Sequence, residues 1–174
     1  YRIDAAENLA ADLTLPFSQR MGSRFEVWKE GKRFGVFIIP LIGEKNVANA
    51  TAVVAVLDQL GFGATQIASA IAGFRGAARR QQELFCGDSF RLFDDYGHHP
   101  TEIRSTLRAM KTLGCRRLLV AFQPHRYTRT QSLFSEFSAC FDEADQLWVT
   151  DVYAASEDAI PGISGQALSS AVLA

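Results

Sequence analysis

The chain lacks any excess of charge: 18 Lys and Arg stand against 19 Asp and Glu in 174 residues, a formal net charge of -1. That balance argues against an electrostatic grip on nucleic acid or on an acidic membrane surface. It also lacks an apolar run of membrane-spanning length, and no signal-peptide pattern opens it, so a cytoplasmic setting is expected. Cysteine is sparse. Cys86, Cys115 and Cys140 are odd in number and widely spaced. Without a CxxC or CxxH pair there is no zinc signature, and no residue is assigned as a metal ligand. All three are expected to be small buried hydrophobes in a reducing compartment. Glycine-rich phosphate loops are missing too. No G-x-G-x-x-G opens any helix, which argues against a dinucleotide oxidoreductase. No G-x-x-x-x-G-K-[ST] occurs either, since Gly31-Lys32-Arg33 has no glycine loop before it. Internal repeats and low-complexity tracts are likewise absent.

What is present suits a soluble globular protein, with 48% apolar and 21% charged residues. The first ~23 residues show no clean period and are assigned no element. From Arg24 the pattern sharpens. Phe25, Val27 and Trp28 lead into Glu30-Gly31-Lys32, and Phe34 to Ile39 is again apolar, which reads as a hairpin. Val47, Ala50, Val54, Leu57 and Leu60 recur at steps of three and four, predicting a helix over 46–60 with Gly61 at its C-terminal cap. A second helix is predicted over 65–74, and a connector over 76–80.

Beyond Arg80 the texture becomes alternating short strands and helices. Strands are expected at 84–86, 90–93, 117–122 and 146–150. Helices are expected from Pro100 through Leu113, at 130–142 and at 164–173. Pro100 suits a first turn, where its missing N–H costs nothing, and Glu102 favours the positive end of the helix dipole. Such alternation with short connections implies a Rossmann-like α/β domain with a parallel-rich sheet. Leu118 to Ala121 reads as a buried strand. A boundary near 80–83 divides the chain into 1–81 and 82–174.

All three histidines follow predicted strands, where open parallel sheets bind ligands. His98 and His99 follow the strand at 90–93, together with Asp94, Asp95 and Tyr96. His125 follows the strand at 117–122, together with Arg126 and Arg129. Two neighbouring strand ends would bring these groups into one polar cluster. Arg126 and Arg129, three residues apart, offer planar permanent cations that fit a carboxylate or, equally, a phosphate. Asp95 could accept from ribose hydroxyls. The histidines could orient or deprotonate an amine. Asn46 could simply cap its helix.

DDYGHHPTEI at 94–103 and FQPHRYTRT at 122–130 resemble signatures of the C-terminal domain of the Mur ligases. DVYAASEDAIPGIS at 151–164, GEKNVANATA at 43–52 and FRGAARR at 74–80 are also similar to that family, in collinear order along nearly the whole chain. The nearest resemblance is to the branch that joins L-alanine to UDP-N-acetylmuramate. A sister branch attaches a preformed tripeptide to the same sugar, and a non-catalytic nucleotide-binding module is the third reading.

The resemblance implies that 1–81 is the hairpin-and-helix end of a central ATP-binding domain and that 82–174 is a truncated C-terminal domain. Asn46 and Asn49 would lie near the adenine, Arg80 would reach the ATP phosphates, and Asp95 would hold the ribose. Tyr96, His98, His125, Arg126 and Arg129 would form the amino-acid pocket, with the arginines clamping the carboxylate. His98 and Arg80 are the implied catalytic residues. The implied ligands are ATP, UDP-N-acetylmuramate and L-alanine, with Mg2+ bridging phosphates and held mainly by residues upstream. The P-loop is expected upstream as well, so the fragment alone is expected to be inactive. Weak self-association is left open. Two departures stand out: Lys45 where the family usually has His, and Gly97 where Ala is common.

Overall fold

The structure is a computed structural model that describes residues 1–8 and 21–172. Two compact units divide it, Tyr1–Tyr96 with Thr112–Gly114, and Gly97–Lys111 with Cys115 onward.

The first unit is built on a three-stranded antiparallel sheet. Its strands are β1 (Arg2–Asn8), β2 (Ser23–Lys29) and β3 (Lys32–Ile39), in the order β1-β2-β3. The expected hairpin is β2–β3, which turns through Glu30 and Gly31, both at positive φ. Ser23, Phe25 and Val27 alternate inward along β2, and Phe25 sits opposite Phe37 with ring centroids 5.8 Å apart. A period-2 strand with one covered face produces this pattern. β1 has no apolar alternation of its own, so nothing in its residues announced it; pairing with β2 makes it a strand.

Helices α1 (Glu44–Gln59) and α2 (Ala64–Ala72) bring Val47, Val54, Ile67 and Ile71 to the same core as Phe25, Val27, Phe37 and Ile39. Burying each such side chain contributes roughly 1.5–3 kcal/mol before ordering costs. Gly43 precedes α1 at φ 89, a conformation that residues with a Cβ rarely adopt. Gly61 follows α1 at φ 90, the predicted left-handed stop. α2 ends at Ala72, earlier than expected, with Gly73 at its cap. Strands β4 (Gln82–Cys86) and β5 (Arg91–Asp94) then form an antiparallel pair.

The second unit holds helix α3 (Pro100–Lys111), strand β6 (Leu119–Phe122), helices α4 (Tyr127–Ser132) and α5 (Phe134–Ser138), strand β7 (Gln146–Val149) and helix α6 (Gly165–Val172). β6 and β7 are parallel, with Leu119 opposite Gln146 and Phe122 opposite Val149. A further parallel bridge joins His125 to Tyr153. Parallel strands need a crossover, and α4 and α5 supply it. The core gathers Ile103 and Leu107 from α3, Phe122 from β6, Phe137, Cys140 and Phe141 around α5, and Leu168 from α6. A Cβ on Gly165 would lie 2.0 Å from the Thr150 carbonyl oxygen, so α6 can start this close to the end of β7 only with glycine there.

Several expectations are corrected. The single helix over 130–142 is two short helices, broken at Leu133 (φ -116, ψ 23), because the aromatic spacing reports burial and not continuity of the backbone. The strand at 117–122 is not buried on both faces: Phe122 is covered while Leu119 is 51% exposed. Cys140 is buried as expected, and burial pushes its thiol up to about 12, but Cys86 and Cys115 are exposed. β5 and β6 are not sheet neighbours among the described residues, since β5 pairs with β4 and β6 with β7. The last residue of the predicted helix over 164–173 lies outside the described residues.

Candidate functional site

In the first unit the predicted nucleotide residues are tied together through the connector after α2. Asn46 does not cap α1, whose N-cap is Gly43. Its half-buried Nδ2 instead donates to the Ile42 carbonyl (2.8 Å) and to Oε1 of Gln81 (3.0 Å). The main-chain N–H of Gln81 in turn donates to the Asp95 carboxylate (2.9 Å). Arg79 and Gln81 both hold positive φ, so the chain zigzags at the connector. The Tyr96 N–H donates back to the Arg79 carbonyl (2.7 Å), and Arg79 Nε reaches Asp94 (3.2 Å).

Tyr96 is 41% exposed, and its ring receives the guanidinium of Arg79 at 4.9 Å and that of Arg80 at 5.9 Å. Arg80 is thus exposed with its guanidinium over the Tyr96 ring. Asn49 is exposed one turn beyond Asn46, as is Lys45 just before it.

In the second unit the histidines separate in role. His99 caps α3: its Nδ1 accepts from the Thr101 N–H (3.3 Å) and its carbonyl from the Ile103 N–H (3.0 Å). His98 donates its main-chain N–H to Glu102 (3.1 Å), and its Nδ1 lies 3.6 Å from the same carboxylate. One glutamate on the first turn of α3 thus binds the His98 main chain and lies near its imidazole.

His125 stands at the end of β6, its ring stacked on Tyr153 with centroids 5.3 Å apart. Arg129 Nη1 lies 3.4 Å from His125 Nδ1 and donates to the His125 carbonyl at 3.4 Å, the natural reach of residues four apart at a helix start. Burial holds the imidazole below its ordinary value of 6.5, helped by the positive fields of Arg129, Arg126 and His98, while Glu157 acts in the opposite sense. His125 is therefore neutral near pH 7 and can accept a proton or a hydrogen bond.

Arg126 has φ 73 and donates its N–H to the Tyr153 carbonyl (2.8 Å). That left-handed backbone is uncommon for a residue with a side chain, and it turns the chain from the strand into α4. Glu157 accepts from the Thr128 N–H (3.0 Å) and Thr128 Oγ1 (2.8 Å), and lies 3.5 Å from Arg126 Nη1. These bonds, with Thr128 the larger influence, hold its carboxyl below the usual range.

The structure thus links Asn46 with Asp95 through Gln81, and His125 with Arg129, while His98 is tied to Glu102. The stretch DDYGHHPTE is divided, with Asp95 and Tyr96 in the first unit and His98 in the second. Gln81, Tyr153 and Glu157 were not singled out as functional from the sequence, and Glu102 was read only through the helix dipole and not as the partner of His98. Glu157 lies within DVYAASEDAIPGIS, but nothing in its spacing pairs it with a residue 31 positions earlier. Among the described residues no three His, Cys, Asp or Glu side chains are grouped to hold a metal ion. A cavity of about 350 Å3 at the β2–β3 turn, lined by Lys29, Glu30, Lys32, Arg33 and Phe34, contains none of these residues.

Residues 79–173 match the family described as Mur ligase, glutamate ligase domain. The chain belongs to the Mur ligase family. A UDP-N-acetylmuramate–L-alanine ligase of Koribacter versatilis is 47% identical over 146 residues, covering 84% of this chain and 31% of the relative. The protein of the same name from Acidithiobacillus ferrooxidans is 41% identical over 174 residues, covering 97% of this chain and 37% of its own length. Among solved structures, UDP-N-acetylmuramate–alanine ligase from Thermotoga maritima superposes with a TM-score of 0.73 at 30% identity, covering 87% of this chain and 32% of that one. MurF from Acinetobacter baumannii shares the fold at a TM-score of 0.71 and 19% identity, covering 98% and 33%. The chain therefore spans about a third of the length of the curated Mur ligases it matches. No described helix is long and apolar enough to cross a membrane.

Proposed function

We propose that this chain is the part of an ATP-dependent Mur ligase that receives the amino acid, and that the whole enzyme joins L-alanine to UDP-N-acetylmuramate in the cytoplasm. Residues 1–81 would end the central ATP-binding domain and 82–174 would belong to the C-terminal domain. The observation that carries the reading is the cluster of neutral His125 with Arg126 and Arg129 within one turn after β6.

In this reading the sugar carboxylate takes the γ-phosphoryl group of ATP and ADP leaves. The amine then attacks the acyl carbon of the resulting acyl phosphate, inorganic phosphate departs and an amide forms. The second step needs an uncharged amine. Arg126 and Arg129 would fix the L-alanine carboxylate by charge-assisted bonds, so attack becomes a positioned event. His98, beside Glu102, and neutral His125 are the basic groups in reach of such an amine. Asn46, Asn49 and Asp95 would hold the nucleoside, Arg80 would meet the phosphates, and Mg2+ would act between phosphates with ligands from elsewhere in the enzyme. Residues 1–174 contain no G-x-x-x-x-G-K-[ST], so by themselves they are expected not to turn over.

Steady-state kinetics of the intact ligase test the assignment. Arg126→Ala should raise KM for L-alanine by about tenfold or more while leaving KM for ATP nearly unchanged. Equal rises in both would sink the carboxylate-clamp assignment. Offering a tripeptide in place of L-alanine separates this enzyme from the sister branch, because only an open pocket would accept it. Absence of any ligation would leave a nucleotide-binding module.

A further inference from the structure

We propose that Gln81 is a positioning residue of the nucleotide pocket, holding Asn46 with its side chain and Asp95 with its main-chain amide. The inference rests on the reading above that Asn46 and Asp95 face the nucleotide. Asn46 and Asp95 are 49 positions apart, on α1 and just beyond β5, and share no sequence neighbours. Gln81 lies within hydrogen-bond reach of both, at 3.0 Å from Asn46 Nδ2 and 2.9 Å from the Asp95 carboxylate.

The amide chemistry of Asn46 specifies what the contact does. The Ile42 carbonyl can only accept, so it fixes Nδ2 as the end of the amide facing it, at 2.8 Å. The second N–H on Nδ2 goes to Gln81 Oε1, which stops the amide from swinging about its stem. With both donors engaged, Asn46 presents Oδ1, an acceptor suited to an amino group on a base. On the other side, the Gln81 N–H donates to the Asp95 carboxylate at 2.9 Å, which holds that side chain against the connector. Gln81 itself has φ 49, and that left-handed turn points its amide N–H and its side chain to different partners.

Only the side-chain half of this bridge can be removed by substitution, because every variant except proline retains the main-chain N–H to Asp95. In the intact ligase, Gln81→Leu should raise KM for ATP about fivefold, the effect of losing one neutral hydrogen bond, with KM for L-alanine unchanged. A double-mutant cycle with Asn46→Ala provides the readout that a general loss of stability would not reproduce. If Gln81 acts through Asn46, adding Gln81→Leu to Asn46→Ala should raise KM for ATP no further.

The bridge is overturned if Gln81→Leu leaves KM for ATP unchanged while Asn46→Ala raises it, or if the two effects multiply. An unchanged KM for ATP in Asn46→Ala alone would overturn the nucleotide assignment, and the bridge with it. Should Gln81→Leu fail to fold, Gln81→Met, which keeps the unbranched stem and lacks a strong acceptor, carries the same test.

Discussion

The two clusters of candidate residues, one in each unit, are held in different ways. The first unit assembles its cluster from three distant places, the start of α1, the connector after α2 and the end of β5, joined by main-chain and amide hydrogen bonds. The second unit concentrates His125, Arg126 and Arg129 within five residues, on a tight left-handed turn from strand to helix. It then fastens that turn with a carboxylate, Glu157, from a later loop. A local cluster can be seen as a motif because its members are sequence neighbours. A cluster bridged by long-range hydrogen bonds cannot, because the linking residue carries no motif of its own.

The largest expected effect separates the two units by stability. Phe137 is 1% exposed and packs on Phe122 with centroids 5.6 Å apart. Phe137→Ala should cost about 3–5 kcal/mol in denaturant unfolding of the second unit. The β2 and β3 amides should keep their protection against hydrogen exchange, and their simultaneous loss would mean that the units unfold as one.

A smaller effect should distinguish the carboxylate fastening from the arginines it fastens. Glu157→Gln keeps the shape but removes the charge facing Arg126 and Thr128. KM for L-alanine should rise roughly fivefold, less than for Arg126→Ala, with KM for ATP unchanged. A rise in KM for ATP of the same size would dissolve the distinction between the two clusters.

The smallest effect is a pH measurement. His125 should titrate below its ordinary value of 6.5 in an NMR titration. Glu157→Gln should move the midpoint further down, because Glu157 favours the charged ring, and Arg129→Gln should move it back up. The sign for stability follows from the lowered value. The fold keeps His125 neutral, so its contribution is complete above 6.5 and is lost as pH falls from there through the folded value. A midpoint above 6.5 would contradict the burial and the cationic surroundings described here.

Much of the fold was legible because it follows local periods. The alternation of Phe25 and Val27, the three-and-four spacing from Val47 to Leu60 and the stop at Gly61 each record which face is covered. β1 was not legible, because Arg2–Asn8 forms a strand by pairing with β2 and not by its own pattern. The break at Leu133 was hidden because Phe134, Phe137 and Phe141 would be buried by one helix or by two. The exposure of Cys86 and Cys115 depends on what covers them, and residue type does not state that.

Sequence alone determined the family, most of the helices and strands, and the grouping of His125, Arg126 and Arg129 as near neighbours, since these rest on short-range spacing and on motifs of neighbouring residues. Tertiary structure decided that Asn46 bonds to Gln81 instead of capping α1, that His99 caps α3 while His98 is tied to Glu102, and that Glu157 braces Arg126 and Thr128. The physical reason is common to all of these. A polar side chain has several partners of comparable strength, and which one it takes is settled by the groups that folding brings within about 3 Å.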